Sequence, residues 1–170
     1  MKIYLAGKIA KGDEIGKAPD WRSEYTAVFG RIADAEIISP EDDSLDESQP
    51  IIVFGHDCSL IQQADVLVIN ASTKLGVGTA QEMLIAKYFN KPVVVVLPKN
   101  THHRRSDLTI SAGAVKDWIH PFVFSTSDAI VESVEEAANW LAQYIEFPKR
   151  HDIKNISVID EAIKEYRTAR

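Results

Sequence analysis

Glu82 closes the run Gly76-Val77-Gly78-Thr79-Ala80-Gln81-Glu82, where glycines give way to a helical pattern. A carboxylate in a first helical turn lies near free amides and the positive end of the helix dipole. Both favour its charged form, and a charged carboxylate can act as a nucleophile. Thr79 and Glu82 also have the spacing of a capping box, a local use that needs no chemistry. Asp57 is the second candidate. Val53, Leu60, Ile61 and Ala64 share one face of the helical pattern around it, and Asp57 falls on that face. A carboxylate on an apolar stripe should be paired, protonated or at the rim of a site. The alternative is a helix that starts after Gly55 and uses Asp57 as its cap. Spacing alone puts the two carboxylates in reach of one cleft, not in contact.

The loop Gly7-Lys8-Ile9-Ala10-Lys11-Gly12 offers backbone amides and two ammonium groups. It reads either as a small phosphate clamp or as an ordinary connection. Its glycine spacing is Walker-like, but Asp13 and Glu14 stand where Lys and Ser or Thr are needed. Gly76-Val77-Gly78 lacks the third glycine of a dinucleotide fingerprint, having Gln81 there instead. His102-His103-Arg104-Arg105 is expected to be a basic loop, either a solvated connector or a cover for a phosphate. His56 and His120 have no ligand-like spacing, and Cys58 has no companion thiol, so no metal site is expected. Trp21-Arg22 is placed to frame the first loop, with Trp21 packing.

The elements that must hold these residues are legible as apolar runs. Residues 3–6, 35–39, 66–70 and 93–97 read as strands buried on both faces, which suits a parallel sheet covered by helices. Helical patterns lie between them: one capped by Asp20 and reaching about Ile32, one from about Ile52 to Ala64, one from Ala80 to Phe89. A fifth strand is expected near Pro121 to Ser125. Asp128 to Glu132 reads as a short strand in preference to the first turn of the helix that follows, whose capping box is Ser133 and Glu136. The fold class is therefore α/β, a single-domain three-layer sandwich around a five-stranded, mainly parallel sheet. In such sheets ligands sit outside the carboxyl ends of the strands, where the loop after Ala6 and the segment before Glu82 fall.

Composition narrows the class of partner. In 170 residues 45% are hydrophobic and the net charge is −6, which suits one globular domain and disfavours a nucleic-acid polymer or an anionic membrane as partner. The longest clean apolar run, Val93 to Leu97, is far too short to span a bilayer. Lys8, Lys11 and Asp13 interrupt any signal-type region near Met1, so a cytoplasmic location is expected. Residues 1–147 read as the α/β domain and 148–170 as a helical tail or arm. Ala80, Met83, Leu84, Ile85, Ala86, Tyr88 and Phe89 wrap nearly all faces of the third helix, which calls for cover on both sides, from a second subunit.

Taken in order, Lys2-Ile3-Tyr4-Leu5-Ala6-Gly7, Asp57 through Gln62-Gln63-Ala64-Asp65-Val66, and Gly76-Val77-Gly78-Thr79-Ala80-Gln81-Glu82 leading to Asn90-Lys91-Pro92 resemble the nucleoside 2-deoxyribosyltransferase superfamily. The Gln-Gln-Ala-Asp-Val and Leu-Gly-Val-Gly pieces also resemble its 2'-deoxynucleoside 5'-phosphate N-hydrolase branch. The resemblance spans roughly the first hundred residues. It implies a flavodoxin-like subunit, a homodimer or higher homo-oligomer whose neighbours help close each site, and no cofactor or metal. It implies cleavage of the N-glycosidic bond of a 2'-deoxynucleoside or its 5'-monophosphate, with Glu82 as nucleophile, Asp57 engaging the sugar or the departing base, and Tyr4 positioning either. Gly7, Lys8, Ile9 and Lys11 would meet the 5' end, and Gly76, Gly78 and Thr79 would line the substrate. Members that transfer bases often carry Asp where Gly76 stands, which tilts the expectation towards hydrolysis. A ribonucleoside 5'-monophosphate phosphoribohydrolase shares Gly-x-Gly-Thr-x-x-Glu, yet its Pro-Gly-Gly stretch is missing here. A non-catalytic nucleotide-binding module is the third reading.

Overall fold

The computed structural model describes residues 1–9 and 20–170. Lys11 therefore lies outside the described residues. Strand β1 (Lys2–Ala6) leads to helix α1 (Trp21–Phe29), strand β2 (Glu36–Ile38), helix α2 (Pro50–Gln63), strand β3 (Val66–Asn70), helix α3 (Val77–Tyr88) and strand β4 (Val93–Val96). A two-stranded ribbon, β5 (Arg104–Ile110) and β6 (Gly113–Ile119), precedes helix α4 (Pro121–Thr126), strand β7 (Ala129–Val131) and helix α5 (Val134–Glu146). A 3-10 turn at Pro148–Arg150 and helix α6 (Val158–Thr168) follow.

Five strands form one sheet in the order β2-β1-β3-β4-β7, every pair parallel. Counting only strands of this sheet the order is 2-1-3-4-5, the flavodoxin-like arrangement. Alternation along each strand divides the core into two layers. Ile3 and Leu5 pack with Tyr25, Phe29 and Leu141 beneath α1 and α5. Tyr4 and Ala6 face the other way, with Ile61, Met83 and Val123 beneath α2, α3 and α4. That alternation sends the Tyr4 side chain to the face carrying Asp57 and Glu82.

Two expectations need correction. Residues Pro121 to Ser125 are helical: Pro121 occupies the first helical turn, where its missing N–H breaks no bond. The fifth strand is Ala129–Val131, inside the segment read as a short strand. The expected basic loop at 102–105 instead runs into the β5–β6 ribbon, closed by a tight turn at Ser111-Ala112 with Gly113 at φ 127°. Arg104 anchors the ribbon to the sheet, with Nε and Nη2 donating to both carboxylate oxygens of Asp117 at 2.8 and 2.9 Å and Nη1 to the Leu97 carbonyl.

Local signals fared well at the caps. Asp20 accepts from the Ser23 amide at 3.1 Å, and Ser133 accepts from the Glu136 amide at the same distance. The tail folds back on the core. The Lys154 amide donates to Asp128, and its ammonium to the carbonyls of Phe124 and Ser127. Asp128 also takes the fully buried Lys87 ammonium and the Val93 amide, so one carboxylate ties α3, β4 and the tail together. Among the described residues no helix is long and apolar enough to cross a membrane.

Candidate active site

Tyr4, Asp57 and Glu82 come together at the sheet face covered by α2 and α3. The Tyr4 hydroxyl donates to Glu82 Oε1 at 2.7 Å, and both residues are buried. Burial pushes the Glu82 carboxyl above its ordinary range; the Tyr4 hydrogen bond opposes this, the Asp57 charge adds to it, and Arg22 and the Thr79 hydroxyl lower it. Burial and the Glu82 charge push the Tyr4 phenol far up, so Tyr4 stays a donor throughout the working pH range.

Helix α3 starts at Val77 with Gly76 as its cap residue and no side-chain cap bond. Thr79 is thus inside the helix, and the capping box does not form. Glu82 sits a full turn further along than expected, past the amides of the first turn. Its ionised form rests on the Tyr4, Thr79 and Arg22 side chains rather than on the helix dipole. Freed from capping, its carboxylate turns to Tyr4, 78 residues away in sequence.

Helix α2 begins at Pro50, which places Asp57 in its middle and removes the reading of Asp57 as a cap. The Asp57 side chain is 30% exposed and meets His56 Nδ1 at 3.1 Å. It occupies the rim, where a carboxylate keeps some water yet lends its charge to Glu82 and Tyr4. The contact with Asp57 also gives the His56 ring a polar partner.

Gly7 is buried at the carboxyl end of β1, and a Cβ there would lie 2.7 Å from Trp21 Cζ2 and 3.3 Å from Asn70 Cβ. Only glycine lets the Trp21 ring close on the strand end. The indole Nε1 donates to the Lys8 carbonyl at 3.2 Å, so α1 and the first loop are fastened at the cleft. Lys8 is exposed and Ile9 half-buried. Gly76 and Gly78 are exposed with open space where a Cβ would go, and Thr79 is buried beside Glu82.

Arg22 is the residue that the sequence reading undervalued. Its guanidinium lies 4.3 Å from the centre of the Trp21 ring, and Nη1 donates to Glu41 Oε1 at 3.0 Å. Its charge acts on both Tyr4 and Glu82. The only local signal was its position just after a helix cap, which marks every first helical turn and no function. His103 belongs to the run expected to be a basic loop, either a solvated connector or a cover for a phosphate. Instead its ring is buried and Nε2 accepts the Leu75 amide at 2.9 Å, holding the segment that enters α3.

No protein-family model and no curated protein matches this sequence. Among solved structures, a 2-deoxyribosyltransferase from Leishmania mexicana is similar at 17% identity and a TM-score of 0.58, over 85% of this chain and 97% of that one. A 2-deoxyribosyltransferase from Bacillus psychrosaccharolyticus is similar at 18% identity and a TM-score of 0.51, over 82% of this chain and 91% of that one. At these identities the likeness is one of fold, and the shared fold is the one the motifs pointed to.

Proposed function

We propose that this protein cleaves the N-glycosidic bond of 2'-deoxynucleosides or their 5'-monophosphates. The observation that carries this reading is the buried Tyr4–Glu82 hydrogen bond with Asp57 at its rim, at the carboxyl ends of a sheet whose fold is shared with 2-deoxyribosyltransferases. A buried carboxylate whose charge is held by a phenol, a hydroxyl and a guanidinium is suited to attack an electron-poor carbon.

In the proposed reaction Glu82 bonds to the anomeric carbon as the bond to the base breaks. The bonding electron pair leaves with the base, which takes up a proton, with Asp57 assisting at the rim. Water then attacks the same carbon, its hydroxyl bonding there as its proton passes to the Asp57 carboxylate, and Glu82 departs as carboxylate. The two displacements resemble those of retaining glycosidases, with an oxocarbenium-like transition state at each. An acceptor base in place of water would give exchange instead; Gly76, lacking any side chain to hold such a base, favours hydrolysis. Tyr4 positions Glu82, Gly7, Lys8, Ile9 and Lys11 meet the 5' end, and Gly78 and Thr79 line the approach to Glu82. The reading requires no metal and no organic cofactor.

Residues 1–147 form the catalytic domain in this proposal and 148–170 its appended tail. Self-association is part of it. Leu84 and Tyr88 of α3, Phe122 and Phe124 of α4, and Ile159 and Ile163 of α6 are exposed in the single chain, an apolar surface that a second copy would cover.

The test is chromatography of base released from deoxy- and ribonucleosides and their 5'-monophosphates, with and without a second base. Release from deoxy substrates without acceptor is expected. Turnover only with an acceptor would restore base exchange, equal use of ribonucleotides would favour a phosphoribohydrolase, and binding without release would leave a nucleotide-binding module.

A further inference from the structure

Two of the three guanidinium nitrogens of Arg22 are unused. Nε and Nη2 are buried and have no hydrogen-bond partner among the described residues, in a side chain only 13% exposed. Buried N–H groups of a charged side chain are normally satisfied, because each unmade bond keeps the loss of its water uncompensated. Here the rest of the group is firmly held. Nη1 is taken by Glu41, and the Trp21 ring lies against the guanidinium face. Trp21 is itself seated on Gly7. The guanidinium is thus fixed with its buried Nε–Nη2 edge unpaired among the described residues, and that edge carries two parallel N–H donors suited to one ligand.

We infer that Arg22 receives the nucleobase of the substrate through this edge and selects bases that present two adjacent acceptors, cytosine or guanine. The inference rests on the glycosidase reading and goes beyond it by naming the substrate class. Charge decides between the two candidate ligands for such an edge, a phosphate and a base. The charges of Glu41, Glu82 and Asp20 act on Arg22, so a phosphate dianion would meet three carboxylates against one guanidinium. A neutral base edge meets no such repulsion. Cytosine offers O2 beside N3, and guanine O6 beside N7. Adenine and thymine place a donor beside the acceptor, which would leave one Arg22 N–H unpaired. The pair also faces the charge that collects on the base as its glycosidic bond breaks.

The test is calorimetric binding of deoxycytidine, deoxyguanosine, deoxyadenosine, thymidine and their 5'-monophosphates. It uses the Glu82→Gln protein, to prevent turnover, and its Arg22→Gln and Arg22→Lys derivatives, with folding followed by circular dichroism. Arg22→Gln should weaken deoxycytidine and deoxyguanosine roughly tenfold to a hundredfold and the other two about twofold or less. Arg22→Lys keeps the charge, loses the fork and should not restore them. An equal loss for all four bases, or a loss confined to the monophosphates, would overturn the inference. So would base release by the unmodified enzyme whose base preference survives Arg22→Gln, and the glycosidase reading would then stand. Arg22-dependent, base-selective binding with no base release by the unmodified enzyme would support Arg22 and defeat the glycosidase reading. Absence of binding by any of the compounds would defeat both.

Discussion

Replacing Tyr4 by Phe removes one atom from the site and isolates what the phenol does for Glu82. The hydroxyl donates to Oε1 at 2.7 Å, and Tyr4 is 0% exposed. Since the phenol stays protonated, the bond joins a neutral donor to an ionised acceptor and stabilises the charged form of Glu82 selectively. Hydrogen bonds to charged groups contribute about 1.5–3 kcal/mol. At about 1.4 kcal/mol per pKa unit, its loss should raise the Glu82 pKa by about one to two units. Burial and the Asp57 charge already push this carboxyl up, and in Tyr4→Phe only Thr79 and Arg22 remain to oppose them. The nucleophile must be ionised, so activity disappears as pH falls through its pKa, and a higher pKa moves that loss to higher pH. The measurement is kcat/KM for base release across pH 5 to 9. The acid limb of Tyr4→Phe should shift upward by about one to two units and the rate should recover on the alkaline side. A rate reduced equally at every pH, with the acid limb unmoved, would show that Tyr4 acts on the sugar instead. A downward shift would refute the electrostatic reasoning altogether.

Two further predictions concern stability. Glu82→Gln should abolish turnover yet raise the midpoint of thermal unfolding at pH 7.5. Burial holds the folded-state pKa of Glu82 above its unfolded value, so its favourable contribution is present at low pH and lost as pH rises through the folded pKa; the gain should shrink towards pH 4, and a Glu82→Gln protein less stable at pH 7.5 would contradict it. His103 is the opposite case. Burial, then the neighbouring His102 and His120 rings, pull it down to about 4, and protonation would cost it the Leu75 amide bond. Stability from a neutral His103 is present above about pH 6.5 and lost as pH falls towards 4, amounting to about 2 kcal/mol already lost at pH 5. Urea unfolding at pH 7.5 and 5 should show a smaller pH difference in His103→Gln than in the unmodified protein; an identical difference would assign the acid sensitivity elsewhere.

Much of the architecture is written in local pattern. Residues 3–6, 66–69 and 93–97 are apolar without alternation because strands inside a three-layer sandwich are covered on both faces, and burial is a property that composition records. Asp20 and Ser133 cap their helices because the donors they satisfy lie within three residues. What failed was what local pattern cannot decide. Pro121 to Ser125 has strand-like aromatic content, but a proline at a first helical turn is equally compatible with a helix. The β5–β6 ribbon begins where a basic loop was expected over residues 102–105, although Leu108 and Ile110 alternate with the polar Asp107 and Thr109 ahead of the turn at Ser111-Ala112.

By itself, then, the sequence determined a parallel α/β sheet and offered Glu82, Asp57 and Tyr4 as candidate site residues, since each signal depends on neighbours a few residues away. Tertiary structure alone decided that Thr79 does not cap α3 and that Glu82 bonds to Tyr4 instead. It also decided that Arg22 acts on both with two buried N–H groups unpaired among the described residues, and that His103 reaches across to Leu75. Those partners are separated by tens of residues in the chain. Whether a carboxylate is a cap or a nucleophile depends on which distant donor the packed sheet brings within hydrogen-bond range, and no spacing along the chain encodes that distance.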